Sequence, residues 1–130
     1  MKVTSKRLAS IAVFMVFAVF SFAGISYAKE LSPEKVEAGK VCMINNRVMA
    51  EPQIPVEIEN KTYYGCCAGC ASKLKNQKGA RFSKDPLTGN KVDKAAAYII
   101  SGLAGEALYF ESEKNAQNYV TANKGKTGDK

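Results

Sequence analysis

Four cysteines are the residues of this sequence whose type and spacing suit chemistry. Cys66 follows Cys42 after 23 intervening residues, Cys70 follows after three more, and Cys67 lies beside Cys66. A thiolate is a nucleophile and also the preferred ligand of soft cations. Cys42 is predicted to lie on a strand, and the C-x3-C pair to lie at the start of a helix. The long segment between them allows the chain to fold back and bring the three thiols together. The spacing therefore predicts a soft-metal site made by Cys42, Cys66 and Cys70, with Cys67 as an auxiliary ligand.

The absence of histidine from all 130 residues narrows the choice of metal. Three thiolates without an imidazole favour a trigonal or distorted site for Cu(I) or Hg(II), and we favour Cu(I). Zn(II) would require a fourth ligand from Cys67, a carboxylate or water. Met43 and Met49 flank Cys42 and could add a thioether ligand, but we interpret both as core residues.

The same cysteines allow two other interpretations. Four cysteines in an oxidising compartment could form two disulfides that staple a small secreted domain with an interaction role. Residues 67–70 are also a C-x-x-C sequence at a helix start, which is the arrangement used in thiol–disulfide exchange. The βαβ pattern expected around that motif is missing. We therefore rank metal binding first, disulfide stapling second and thiol–disulfide exchange third.

Composition argues against most enzymes and against a nucleic-acid partner. Without histidine the usual general base is missing, and no Gly-rich phosphate loop follows a predicted strand. The chain has 19 Lys and Arg against 12 Asp and Glu, a net charge of +7, but these charges are scattered along it. A basic stripe with interleaved aromatic residues, as expected of a nucleic-acid interface, is not seen. We expect a binding protein rather than an enzyme.

Residues 1–28 have the pattern of a signal peptide. Basic residues precede an apolar run over residues 8–24, and Ser26-Tyr27-Ala28 supplies the small-x-small cleavage pattern. The run is also nearly long enough for an uncleaved membrane anchor. We expect cleavage after Ala28, which predicts a periplasmic or secreted protein with no membrane contact after processing.

The elements that position the cysteines are predicted from alternating apolar residues and turn residues. The predicted order is a short helix from Ser32, a strand from Lys40, a turn at Asn45-Asn46, a loop between Pro52 and Pro55, a hairpin over 56–64 turning at Asn60-Lys61, and a helix over 68–78. Cys66 and Cys70 are four residues apart and share one face at the start of that helix. Free N–H groups and the positive end of the helix dipole favour the thiolate form there.

The second half of the chain is similar to the first at an offset of 45 residues. This offset aligns Tyr64 with Tyr109, and it places Glu111 and Asn115 opposite Cys66 and Cys70. Each copy is predicted to be a hairpin followed by a short helix, and such a unit cannot bury its apolar face alone. The predicted divisions are a signal peptide over 1–28, an extension over 29–39, a cysteine-bearing unit over 40–82, a cysteine-free repeat over 83–122 and a disordered tail over 123–130.

Three stretches carry a resemblance to a known family. The spacing of the three candidate ligands, the sequence TYYGCCAGC at 62–70 and the sequence DPLTGNKV at 85–92 resemble the TRASH/YHS group of small cysteine-containing domains. In the third stretch Thr88 takes the place of a cysteine. Related treble-clef modules carry two cysteines in the first turn, whereas this chain has Asn45 at the second position.

The resemblance implies an α+β fold built from small treble-clef-like hairpin and short-helix units. It also implies a role in the trafficking, resistance or sensing of heavy metals. The partners expected on this basis are a metal ion and a metal transporter or a metalloenzyme under assembly.

Overall fold

Short antiparallel strand pairs alternate with tight turns, and a helix follows the second and the fourth pair. The computed structural model describes residues 29–124, so the predicted signal peptide and the predicted tail beyond Lys124 lie outside the described residues. The elements are β1 Val41–Cys42, β2 Arg47–Val48, β3 Ile54–Ile58, β4 Lys61–Gly65, α1 Ala68–Asn76, β5 Phe82–Lys84, β6 Lys91–Asp93, β7 Tyr98–Ser101, β8 Ala107–Phe110 and α2 Glu113–Asn123, with 3₁₀ turns at Ala38–Lys40 and Lys78–Arg81.

Each strand pairs with its neighbour in the chain. The described residues contain four two-stranded antiparallel sheets, β1–β2, β3–β4, β5–β6 and β7–β8. None of the helices within residues 29–124 is long and apolar enough to cross a membrane. The predicted α+β class with hairpins and short helices is confirmed.

The two turns of the first half follow from residues that tolerate left-handed backbone. Asn46 closes the turn between β1 and β2 with φ of 50°, a conformation that asparagine adopts more readily than most residues. Glu59 and Asn60 have φ of 51° and 62°, which is the pattern of the tightest hairpin turns. The predicted turn at Asn60-Lys61 was therefore one residue too late, since Lys61 already pairs with Ile58.

Two local predictions were wrong because tertiary pairing overrode local sequence. Pro55 does not end a loop but lies within β3 opposite Tyr64. Because the sheet has only two strands, β3 is an edge strand, and a proline without an N–H group is tolerated there. No helix begins at Ser32. The chain there is extended, and Val36 N–H donates to the carbonyl of Ile99 at 2.8 Å, so β7 supplies the pairing partner.

Both helices begin with the same kind of cap. The Cys67 sulfur accepts a hydrogen bond from the backbone N–H of Cys70, and the Ser112 hydroxyl accepts one from the N–H of Asn115. Such a side-chain acceptor satisfies one of the unpaired N–H groups of a helix start. The two caps are 45 residues apart, so the offset predicted from the sequence locates the helix starts. α2 then continues to Asn123, where we had placed the start of the tail.

The larger core cluster combines residues from both halves. Its buried members are Val41, Met43, Val56, Tyr63, Leu74, Ile99, Ala107 and Tyr109. Met43 is fully buried, as predicted, but Met49 is 38% exposed, so its predicted core role was wrong. A smaller cluster of Leu31, Ile100, Phe110, Ala116 and Val120 lies under α2. The halves therefore share a core, because neither covers its apolar face alone.

Gly65 allows the end of β4 to approach the start of α1. A Cβ atom built there would lie 2.9 Å from the Cβ of Cys70 and 3.0 Å from the backbone nitrogen of Ala71. Real Cβ atoms do not pack that closely, and backbone atoms cannot give way as a flexible side-chain end would. The glycine therefore fixes the distance between the strand and the helix that carries Cys70.

We expect Gly65→Ala to lower the free energy of unfolding by about 1–3 kcal/mol, because the added methyl group overpacks this junction. Urea unfolding measures the change. Gly79→Ala is the matched control, since a Cβ there meets no atom within 4 Å. Equal stabilities for the two variants would contradict this account of the junction.

Candidate metal centre

The structure brings the three predicted ligands together. The sulfur atoms of Cys42, Cys66 and Cys70 lie within 4.8 Å of one another, and those of Cys66 and Cys70 are 3.6 Å apart. We call these three sulfurs the cysteine cluster. A metal with bonds of about 2.3 Å to three sulfurs in a plane needs them about 4.0 Å apart. All four cysteines are free thiols. The spacing therefore fits a trigonal thiolate site.

Cys42, at the end of β1, is the fully buried member of the cluster. Burial on its own raises the pKa of its thiol, but hydrogen bonds from the backbone N–H groups of Asn45, Cys66 and Ile44 outweigh it and hold the pKa below the usual value. Two of these donors come from the turn that follows β1. The turn therefore stabilises the thiolate form of Cys42, which is the form that binds a metal.

Cys66 and Cys70 hold protons that a metal would displace. The hydrogen bond with the Cys42 sulfur raises the pKa of Cys66, although the bond with Cys70 acts in the opposite direction. Burial, together with hydrogen bonds to the neighbouring sulfurs, raises the pKa of Cys70 to about 12. Cys42 is thus the cysteine of the cluster that loses its proton most readily, whereas Cys66 and Cys70 keep theirs to higher pH. Metal binding then releases protons and strengthens as the pH rises.

Cys67 is not part of the cysteine cluster. It is exposed, and its sulfur accepts the Cys70 N–H at 3.4 Å as the cap of α1. That backbone hydrogen bond lowers the pKa of the Cys67 thiol. Its predicted role as an auxiliary ligand stays a prediction.

Asn45 lies beside the cysteine cluster. Its side-chain nitrogen is 3.6 Å from the Cys66 sulfur, at the long end of hydrogen-bond distance for sulfur. An amide N–H₂ donates hydrogen bonds and does not bind a soft cation through that atom. Asn45 is the position at which the resemblance implies a second cysteine, and the structure places a hydrogen-bond donor to Cys66 there.

Sequence reasoning missed Lys94. Its side chain is only 4% exposed, and its ammonium donates to the carbonyl oxygen of Met43, next to Cys42, at 2.6 Å. The lysine follows β6 and is 51 residues from Met43 in the chain. No local pattern of apolar or turn residues distinguishes it from the many exposed lysines of this sequence.

A second cluster, made only of polar side chains, stands at the equivalent place in the second half. Asn115 donates to Asp85 at 2.8 Å, Thr88 donates to Glu111 at 2.9 Å, and Asn90 donates to Glu111 at 3.1 Å. We call these five residues the polar cluster. Glu111 and Asn115 align with Cys66 and Cys70, so hydrogen bonds connect the same positions of the second half.

Asp85 is the buried anion of the polar cluster. Its side chain is 1% exposed, and burial alone raises the pKa of its carboxyl. Hydrogen bonds from the Asn115 amide and from the backbone N–H groups of Glu111, Leu87 and Thr88 outweigh burial and hold that pKa below its usual value. The folded state therefore stabilises the charged form of Asp85.

Comparison with family models, curated proteins and solved structures finds no match for this chain. Function is therefore inferred from the chemistry of the cysteine cluster and its surroundings.

We expect Asp85→Asn to lower the free energy of unfolding at neutral pH by about 1–3 kcal/mol, since backbone donors lose a charged acceptor. An Asp whose pKa is lower when folded stabilises above its unfolded pKa of about 3.9, and this contribution is lost as the pH falls through the folded value. The variant should therefore lose less stability than the parent on acidification below about pH 4. Urea unfolding across pH measures both effects. The control is Glu37→Gln at an exposed position, and a parallel acid response in all three proteins would refute the role of Asp85.

Proposed function

We propose that this chain is a soft-metal-binding protein that holds Cu(I) with Cys42, Cys66 and Cys70. The observation that carries the proposal is the approach of these three sulfurs to within 4.8 Å of one another. Three sulfur ligands without imidazole suit a soft monovalent ion better than Zn(II), which prefers four ligands. Hg(II) is the divalent ion whose softness also suits the site.

The surroundings of the cluster support binding that can be reversed by a partner. Cys66 is exposed, whereas Cys42 and Cys70 are buried. An incoming thiolate from another protein can therefore reach the metal on the side of Cys66. This favours a role in metal trafficking, resistance or scavenging, with a metal transporter or a metalloenzyme under assembly as the partner. No catalytic step is part of the proposal.

The wider assignment rests on the sequence patterns. The signal-peptide pattern over 1–28 supports export to the periplasm or the medium. The resemblance to TRASH/YHS domains supports a cysteine-bearing unit over 40–82 and a related cysteine-free unit over 83–122. The two helix caps lie 45 residues apart, and the polar cluster includes the residues that align with Cys66 and Cys70. Both observations are consistent with this division.

Metal titration of the reduced, exported protein tests the site. Its intact mass should first show Lys29 as the first residue. Competition with a chromophoric Cu(I) chelator should then give one Cu(I) per chain. Ser replacement of Cys42, Cys66 or Cys70 should weaken binding by at least about 100-fold, because changes to groups that only support a ligand already cost about 10–100-fold.

Cys67→Ser is the matched control, since a serine can cap α1 as Ser112 caps α2. It should weaken Cu(I) binding by less than about tenfold. Equal affinities for the parent and all four variants would show that the thiols are not the site. A protein that is purified under non-reducing conditions without metal and without free thiols would instead support the stapled domain.

Asn45→Cys should change the preference of the site from Cu(I) towards Zn(II). The new thiol stands beside Cys66, and a fourth sulfur completes the tetrahedron that Zn(II) prefers. We expect Zn(II) affinity to rise by about tenfold or more, measured by competition with a zinc indicator. Asn45→Ser, which removes the amide without adding a ligand, is the control. If both variants bind Zn(II) like the parent, Asn45 is not at the open position.

Thiol–disulfide exchange is the second candidate function, and one observation favours it. Cys67 is exposed with a lowered pKa, while the pKa of the buried Cys70 is raised to about 12. An attacking thiolate followed by a protected thiol is the pattern of C-x-x-C redox proteins. Trapping of a mixed disulfide at Cys67 in the Cys70→Ser variant, together with failure of the reduced parent protein to bind Cu(I), would favour this function over metal binding.

A further inference from the structure

Lys94 is a buried cation next to the cysteine cluster. Its side chain is 4% exposed, and its ammonium is fixed by the hydrogen bond to the Met43 carbonyl at 2.6 Å. Lysine is almost never fully buried without a partner, because removing an ammonium from water is costly. The position therefore calls for a negative charge nearby.

No carboxylate supplies that charge among the described residues. The ion pairs there join Lys61 to Asp93 and Lys124 to Glu30, and neither includes Lys94. Asp93, the preceding residue, is engaged elsewhere, because its carboxylate accepts from Lys61 at 2.7 Å and from the Tyr63 hydroxyl at 3.0 Å. A carbonyl oxygen alone does not balance a full charge.

The groups beside Lys94 are the Tyr109 ring and the backbone of Met43, the residue that follows Cys42. The ammonium lies 5.4 Å from the centre of the Tyr109 ring, whose face attracts cations. Burial lowers the pKa of Lys94, and the negative charge of Cys42 acts against that lowering. The same two causes, burial and the Cys42 charge, raise the pKa of Tyr109. A negative charge on Cys42 therefore acts on both side chains.

We propose that Lys94 is the counter-charge of the cysteine cluster and determines its preference for a monovalent cation. The inference rests on the proposed metal site and assigns to it a residue that does not touch the metal. Lys94 also positions the site, since its hydrogen bond holds the turn that carries the N–H donors to Cys42.

The charge of the loaded site explains the preference. Three thiolates carry three negative charges, so the site retains two with Cu(I) and one with Zn(II) or Hg(II). A buried positive charge therefore stabilises the Cu(I) form about twice as strongly as the divalent form. At an effective dielectric constant of about 20, one unit charge within about 10 Å changes an equilibrium by roughly tenfold.

Lys94→Met tests this proposal, because it keeps a long unbranched side chain and removes the charge. We expect the Cu(I)-to-Zn(II) affinity ratio to fall by about tenfold, because the two loaded sites differ by one unit charge whatever charge the metal-free cluster carries. Lys94→Arg restores the charge and should bring the Cu(I)-to-Zn(II) affinity ratio back towards the parent. Both metals are titrated into the reduced, metal-free full protein against chromophoric competitors.

Lys73→Met is the control, since it removes one exposed charge from the helix that carries Cys70. It should leave the ratio unchanged. If Lys94→Met does not fold, Lys94→Gln, which keeps a polar end, provides the same comparison. Equal losses for both metals would reduce Lys94 to a structural support and overturn the proposal, as would no loss at all. A parent protein that binds neither metal would instead overturn the proposed function itself.

Discussion

The candidate site depends on one constraint, which is that the turn between β1 and β2 lies close to the start of α1. The backbone N–H of Met43 donates to the carbonyl of Tyr64 at 2.9 Å, which ties the turn to β4. Gly65 then allows the chain to pass directly into the helix start. Cys42 lies on one side of this junction and Cys66 and Cys70 on the other. The sulfur spacing is thus set by backbone contacts rather than by the side chains alone.

The two halves satisfy the same arrangement with different chemistry. In the first half, thiols converge between a turn and a capped helix. In the second, Asp85, Glu111 and Asn115 converge at the corresponding place and are fully engaged by hydrogen bonds. Backbone N–H groups hold the pKa of Cys42 in one cluster and of Asp85 in the other below their usual values. Each half therefore stabilises the deprotonated form of one acidic side chain, a thiol in the first and a carboxyl in the second.

Local sequence predicted the site better than it predicted the strands. The cysteine spacing identified the three sulfurs that meet, and the 45-residue offset located both helix caps. The predictions of a loop ending at Pro55 and of a helix from Ser32 were wrong because both segments pair with strands, β4 and β7, that a local pattern does not include. Lys94 could not be found in this way, since a buried lysine is recognised only by what surrounds it. Its partners, Met43 and Tyr109, lie just after β1 and on β8, and no short motif joins them.

The shared core has a consequence for how a cation would be captured. Ile99 and Tyr109 pack with Met43 and Leu74 in a single apolar cluster, so residues outside the candidate metal site support the half that carries the cysteines. Small zinc fingers, in contrast, order their chains only when the ion arrives. A receptor that is already folded loses little chain entropy on capture, so its on-rate is limited by encounter and desolvation rather than by refolding. Loading and unloading can then proceed without exposing the apolar interior to aggregation or proteolysis.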